Sequence, residues 1–170
     1  MNKKQETNAF IKECITIALL KLMQTHKFSE ITITELTKKA GVSRVSFYRN
    51  FECKEDVIRN YLKEILEKWN KKYENRNDFN LTEAIFEHYY EYRELYIMLY
   101  RQGLSQISFQ ILKNACGPKP EQDNLTAYVS AFLSYGLYGW IEEWFLRGTK
   151  ETPHEMAYLL EEANKQKNNR

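Results

Sequence analysis

Residues 40–56 read AGVSRVSFYRNFECKED. The small-residue run Ala40-Gly41-Val42-Ser43 leads into a segment in which the aromatic pair Phe47–Tyr48 lies between Arg44 and Arg49. Gly41 can take the left-handed conformation that ends a helix, and Ser43 can cap the next one. A helix from Arg44 to about Asn50 that buries Phe47 turns by about 100° per residue, so Ser43, Arg44, Ser46, Tyr48 and Arg49 spread over its other faces. These side chains are short hydroxyls, two guanidinium groups and a phenol. No carboxylate occurs from Lys38 to Phe51. Such donors suit DNA phosphates, and arginine can also take a guanine edge through two bonds in the major groove.

Upstream, Thr32-Ile33-Thr34-Glu35 matches a capping box, which opens a short helix running to Ala40. Two short helices joined at Gly41-Val42-Ser43 make a helix-turn-helix over about residues 32–51, with Leu36, Ala40, Val42, Phe47 and Phe51 spaced to bury its inner angle. Before it, Phe10, Ile11, Cys14, Ile15, Ala18, Leu19 and Leu22 predict an amphipathic helix ending near His26–Lys27. After it, a long fourth helix starts near Lys54 and carries Val57, Ile58, Tyr61, Leu62, Ile65, Leu66 and Trp69. Lys54 there sets a cation beside the free N–H groups of a helix start, a place suited to an anion. The polar stretch NKKYENRNDFN, residues 70–80, reads as a boundary.

The 170 residues hold 6 Gly and 3 Pro, too few to punctuate a many-stranded fold, and the long Leu-, Glu-, Lys- and Tyr-rich segments predict an all-α protein. The net charge of +2 is uneven. Residues 1–60 contain eleven Lys and Arg against seven Asp and Glu, whereas the remainder has fourteen against sixteen. A basic front favours a polyanionic partner there. The cysteines Cys14, Cys53 and Cys116 are scattered, so neither a disulfide framework nor a metal site is expected. The opening MNKKQETN lacks the apolar core of a signal peptide, and no apolar run is long enough to span a bilayer. A cytoplasmic protein without membrane contact is expected. No nucleophile elbow, phosphate loop or metalloprotease motif occurs, so no enzyme is expected.

The stretch ITITELTKKAGVSRVSFYRNFECKEDVI, residues 31–58, resembles the DNA-binding domain of the TetR family of bacterial transcriptional regulators. The shared features are the Thr-x-x-Glu entry, Ala40-Gly41-Val42-Ser43, Tyr48, Phe51 and Lys54-Glu55. The resemblance implies a DNA-binding domain at residues 1–65 and an effector-binding and dimerisation domain at 66–170. It implies a homodimeric, ligand-responsive repressor on a near-palindromic operator. By the family's pattern Thr32, Ser43, Tyr48 and Lys54 meet phosphates, while Arg44, Val45, Ser46 and Arg49 approach bases. Four positions depart from that pattern: Thr37 replaces a small alanine, Val45 a frequent glycine, and Glu52-Cys53 a better cap for the fourth helix.

In the rear half, helices are expected over Leu81 to about Gln102, Leu104 to Ala115, and Asn124 to Arg147 with Gly148 to end it. A capping box at Thr152-Pro153-His154-Glu155 opens a last helix. Ten aromatics form a candidate cluster: Phe86, Tyr89, Tyr90, Tyr96, Tyr100, Phe109, Phe132, Tyr135, Trp140 and Trp144. They line an effector pocket or fill a core. Gly136 and Gly139 lie on one side of a helix, and with Met156, Leu159, Leu160 and Ala163 they suggest a dimer interface. The segment GLYGWIEEWFLRGTKETPHEM also resembles the short C-terminal domain of a TetR subgroup known from Gram-positive bacteria. No cofactor is implied, and the ligand left open is a small-molecule effector. The alternative is a TetR-like adaptor that works through a protein partner instead of its own operator.

Overall fold

A computed structural model describes residues 3–74 and 80–168. Among them are nine α-helices, one 3₁₀ turn at Phe28–Glu30 and no strand. The helices are α1 (Lys3–Met23), α2 (Ile33–Ala40), α3 (Arg44–Asn50), α4 (Lys54–Tyr73), α5 (Leu81–Glu91), α6 (Arg93–Arg101), α7 (Ser105–Cys116), α8 (Asn124–Leu146) and α9 (Pro153–Asn168). The protein is all-α, as the sequence predicts. It divides into two compact units, residues 1–66 with 98–108, and residues 67–97 with 109–170. The return of residues 98–108 to the N-terminal unit was not expected. The polar stretch at 70–80 lies partly outside the described residues; of it, α4 takes residues as far as Tyr73.

In the N-terminal unit α1, α2 and α3 pack on one another. Ile15, Leu19, Leu36, Phe47, Val57 and Ile58 are fully buried at its centre. The helix starts follow local chemistry. Thr32 Oγ1 accepts from Glu35 N–H at 3.1 Å, and Ser43 Oγ accepts from Ser46 N–H at 3.1 Å. Gly41 sits at φ 68°, ψ 28°, where an L side chain is strained, and this lets the Gly41 and Val42 N–H groups fold back onto the Lys38 and Thr37 carbonyls. Thr37 is buried where alanine is usual, yet its hydroxyl donates to the Ile33 carbonyl at 2.9 Å, so the extra oxygen is satisfied.

The segment between α1 and α2 is held by two side chains from other parts of this unit. Gln102 Nε2 donates to the Met23 carbonyl at 2.9 Å and the His26 carbonyl at 3.1 Å, while its Oε1 accepts from Phe28 N–H at 2.8 Å. Lys54 Nζ donates to the carbonyls of Phe28 at 2.6 Å and Ile31. α1 ends at Met23, earlier than His26–Lys27, because the Thr25 and His26 N–H groups both turn back onto the Leu22 carbonyl.

In the C-terminal unit α9 packs along α5 around Phe86, Tyr89, Ile141, Trp144, Met156 and Ala157. The helix expected from Leu81 to Gln102 is broken at Tyr92, whose backbone (φ −103°, ψ 20°) leaves the helical region. α8 is capped by Asp123, whose carboxylate accepts from the Leu125 and Thr126 N–H groups at 3.0 and 3.1 Å. A bond from the Thr126 hydroxyl, more than any other, and those two N–H bonds hold the Asp123 carboxyl below its ordinary pKa. At α9 both halves of the capping box form: Glu155 N–H donates to Thr152 Oγ1 at 3.2 Å, and Thr152 N–H donates to Glu155 Oε2 at 2.7 Å.

Candidate nucleic-acid interface

Phe47 orients α3. It is fully buried, 5.3 Å from the Tyr48 ring in an edge-on contact and 5.9 Å from Phe51. Losing it would leave a cavity costing about 3–5 kcal/mol. With Phe47 inward, Arg44, Val45, Tyr48 and Arg49 are all exposed and Ser46 is half-buried. Val45 is 60% and Tyr48 54% exposed, large for side chains with so much apolar surface, so both are available to a partner. Neither arginine is paired with a carboxylate among the described residues.

The hydroxyls are partly engaged already. Ser43 Oγ lies 2.9 Å from Ser46 Oγ while it caps α3. Thr32 is exposed at the start of α2, where its oxygen accepts the Glu35 N–H and its O–H proton remains to be donated outward. Both capping hydroxyls therefore sit at helix N-termini, beside backbone N–H groups that favour an anion. Lys38 and Lys39, which were not among the expected contacts, add two exposed cations at the end of α2.

Lys54 behaves differently from the expectation. It is half-buried, its ammonium is 4.6 Å from the Phe28 ring centroid, and two of its three N–H groups are taken by the Phe28 and Ile31 carbonyls. A protein-facing Lys54 fixes the entry to the helix-turn-helix. Cys53 is exposed, and its thiol is raised above its ordinary pKa, first by partial burial and further by Glu55 and Asp56, away from a reactive thiolate.

A family profile described as "Bacterial regulatory proteins, tetR family" matches residues 15–61, and one described as "Transcriptional regulator C-terminal region" matches residues 76–166. The chain belongs to the tetR family. It is also similar to the HTH-type transcriptional regulator EthR of Mycolicibacterium smegmatis, 34% identical over 55 residues, which is 32% of this chain. That match spans 25% of the relative's length. As a tetR-family protein the chain carries the family's N-terminal regulatory domain followed by a transcriptional-regulator C-terminal region. No helix among the described residues is long and apolar enough to cross a membrane.

In this tetR-family chain the ten candidate aromatics do not line one wall. Phe86, Tyr89, Tyr96 and Trp144 are buried core. Phe86 meets Trp144 edge-on at 5.6 Å, and the Tyr89 and Tyr96 rings are 4.6 Å apart. Tyr90 stacks on Trp144 at 5.9 Å, and Phe109 packs against Tyr135 at 4.7 Å. Tyr100 belongs to the N-terminal unit, and Phe132 and Tyr135 are exposed on α8. His88 is buried among Trp69, Tyr89, Tyr92 and Tyr96. Its Nε2 pairs with the Tyr96 hydroxyl at 2.8 Å, and burial lowers its pKa to about 4.

The candidate interface residues also separate. Gly136 and Gly139 are exposed, and a Cβ on either would meet nothing within 4 Å. On α9 Met156 is buried and Leu160 and Ala163 are half-buried, because that stripe lies on the side that packs along α5. Leu159 is 44% exposed.

Proposed function

We propose that the protein is a homodimeric repressor that reads a near-palindromic operator with α3 and is released or retained by a small-molecule effector bound in its C-terminal unit. The observation that carries the reading is the outward set on α3, two arginines unpaired among the described residues with Tyr48 and Val45 around a buried Phe47. Arg44 and Arg49 supply bidentate donors for guanine, Val45 an apolar contact for a thymine methyl, and Ser46 a hydroxyl for either. Thr32, Ser43 and Tyr48 donate to phosphates, which set register and orientation without reading sequence. Lys54 contributes by holding the 3₁₀ turn in place through the Phe28 and Ile31 carbonyls.

Two such helices must lie about 34–36 Å apart to enter successive major grooves, which requires a dimer. Support for it comes from α8. Leu125, Val129, Phe132 and Gly136 recur at helical spacing on one side, and the three side chains are 72%, 49% and 64% exposed. An exposed apolar stripe of this length without charges marks a protein-binding surface. An effector would act by binding the operator-competent arrangement of the two reading heads more or less tightly than the other arrangement.

Selection of bound fragments from a random DNA library at physiological salt, followed by titration of the winner, tests the reading. A near-palindromic site bound at about 10⁻⁸ M or tighter is expected. Enrichment of nothing, with only salt-sensitive binding weaker than about 10⁻⁶ M, overturns it.

A further inference from the structure

The 3₁₀ turn at Phe28–Glu30 has no local side-chain cap, since Lys27 before it makes no capping bond. At the other end of the same link α1 stops at Met23, and the last carbonyls of a helix have no partners within it. The link between α1 and the reading head is therefore short of both donors and acceptors.

Gln102 supplies them at both ends. Its Oε1 accepts from Phe28 N–H at 2.8 Å, and its Nε2 donates to the Met23 and His26 carbonyls at 2.9 and 3.1 Å. A flat group with two N–H donors and a carbonyl acceptor is found only in the side chains of Gln and Asn. All three bonds go to main chain, so they fix the path of residues 23–28 whatever the side chains there.

The amide is itself held in place. Gln102 N–H donates to the Met98 carbonyl at 3.0 Å at the end of α6. Gly103, at φ 72°, then turns the chain, and Leu104 N–H returns to the Leu99 carbonyl at 2.8 Å. Leu99 and Leu104, on either side, are buried. Residues 98–108 lie in the same compact unit as the helix-turn-helix, although the chain before and after them belongs to the other unit.

The consequence falls on α2. Phe28 and Ile31 are buried, and Thr32 caps α2 immediately after Ile31. Holding Phe28 therefore sets where α2 begins and, through the turn at Gly41, where α3 points. Recognition needs such placement to within about 0.5 Å, held by bonds behind the contacting residues. We propose that Gln102 is a positioning residue for operator recognition, which touches no DNA and sets α2 and α3 through the main chain of residues 23–28. It rests on the reading of α3 as the helix that enters the major groove.

The test compares two full-length variants with the wild type. Gln102→Met keeps the stem and removes the three bonds; Gln106→Met, at an exposed glutamine of the same segment, is the control. Titrations on the selected operator are run where circular dichroism shows every variant fully folded, so a loss of stability alone leaves affinity unchanged. Gln102→Met is expected to bind the operator and its single-base variants about tenfold more weakly. The order of preference and the slope against salt should stay as in the wild type. Gln106→Met should bind as the wild type does. Amide hydrogen exchange gives a readout without DNA. In Gln102→Met the N–H groups of Phe28 and Glu35 should exchange about tenfold faster, with those of α8 unchanged. Unchanged operator affinity overturns the proposal and leaves Gln102 a role in stability alone. A loss confined to one base position, or a reduced salt slope, also overturns it by placing Gln102 against the DNA. So does unchanged exchange at Glu35. A wild type that selects no site defeats the operator reading instead, and exchange at Glu35 then decides whether Gln102 sets α2.

Discussion

Lys54 Nζ donates to the Phe28 carbonyl at 2.6 Å and stands 4.6 Å from the centroid of the same residue's ring. One side chain thus ties the first turn of α4 to the segment that leads into α2, and Phe28 is gripped from its other side by Gln102. Lys54→Met keeps the stem and removes the ammonium. It should lower unfolding stability by about 1–3 kcal/mol, since two carbonyls lose a charged donor, and should weaken DNA binding alike for all sequences. The salt dependence of binding should keep its slope. A slope reduced by about one would instead make Lys54 chiefly a phosphate contact.

Arg44 and Tyr48 should separate base reading from phosphate contact. Arg44→Ala is expected to cost about 1–3 kcal/mol on the selected operator and to relax preference at one base position. Tyr48→Phe leaves the ring beside Phe47 and should weaken all sequences by a similar factor. Titrations against the operator and single-base variants measure both. Equal losses for Arg44→Ala on every variant would remove it from the bases.

The legible part of the fold was its local chemistry. Thr32, Gly41, Ser43 and Thr152 each end or begin a helix through bonds to residues at most five positions away, so short motifs located them. The break at Tyr92 has no glycine or proline to announce it. Gln102 bonds across 74 to 79 residues of sequence, and nothing in its neighbourhood signals that use. The same limit affects the site. Helical periodicity assigned the outward face of α3 once Phe47 was taken as core, but the place of Lys54 at a helix start and the family resemblance could not show the carbonyls it meets, which belong to residues 23 and 26 positions earlier. The aromatics of the C-terminal unit resisted assignment because type and spacing alone do not distinguish Trp144, buried against α5, from Phe132, exposed on the same helix.

His88 makes the C-terminal unit acid-sensitive. Burial lowers its pKa to about 4 from an ordinary 6.5. Between those values the unfolded chain binds a proton that the folded one does not, so stability rises with pH across this window and falls on acidification through it. The full effect amounts to about 3 kcal/mol. Urea unfolding of the wild type at pH 7.5 and pH 5 should show a drop of about 2 kcal/mol assignable to this residue. In His88→Phe the drop should shrink by that amount, whatever the variant's stability at pH 7.5. An unchanged difference between the two pH values would mean that His88 is solvated.

Phe132 tests the dimer. At 64% exposure it contributes little to the protomer's own core, so Phe132→Glu should leave the protomer's helical content intact. A carboxylate placed between Val129 and Gly136 would have to be desolvated, opposite its copy, in an interface built on this stripe. Sedimentation at micromolar concentration should show the wild type as a dimer and Phe132→Glu as a monomer. Because a monomer engages one half-site and loses the linkage between two, operator affinity should fall by about two orders of magnitude or more. Binding to a single half-site should be unchanged, since α3 lies in the other unit. If Phe132→Glu remains a dimer with full operator affinity, the two copies meet through another surface and the stripe on α8 serves a different partner.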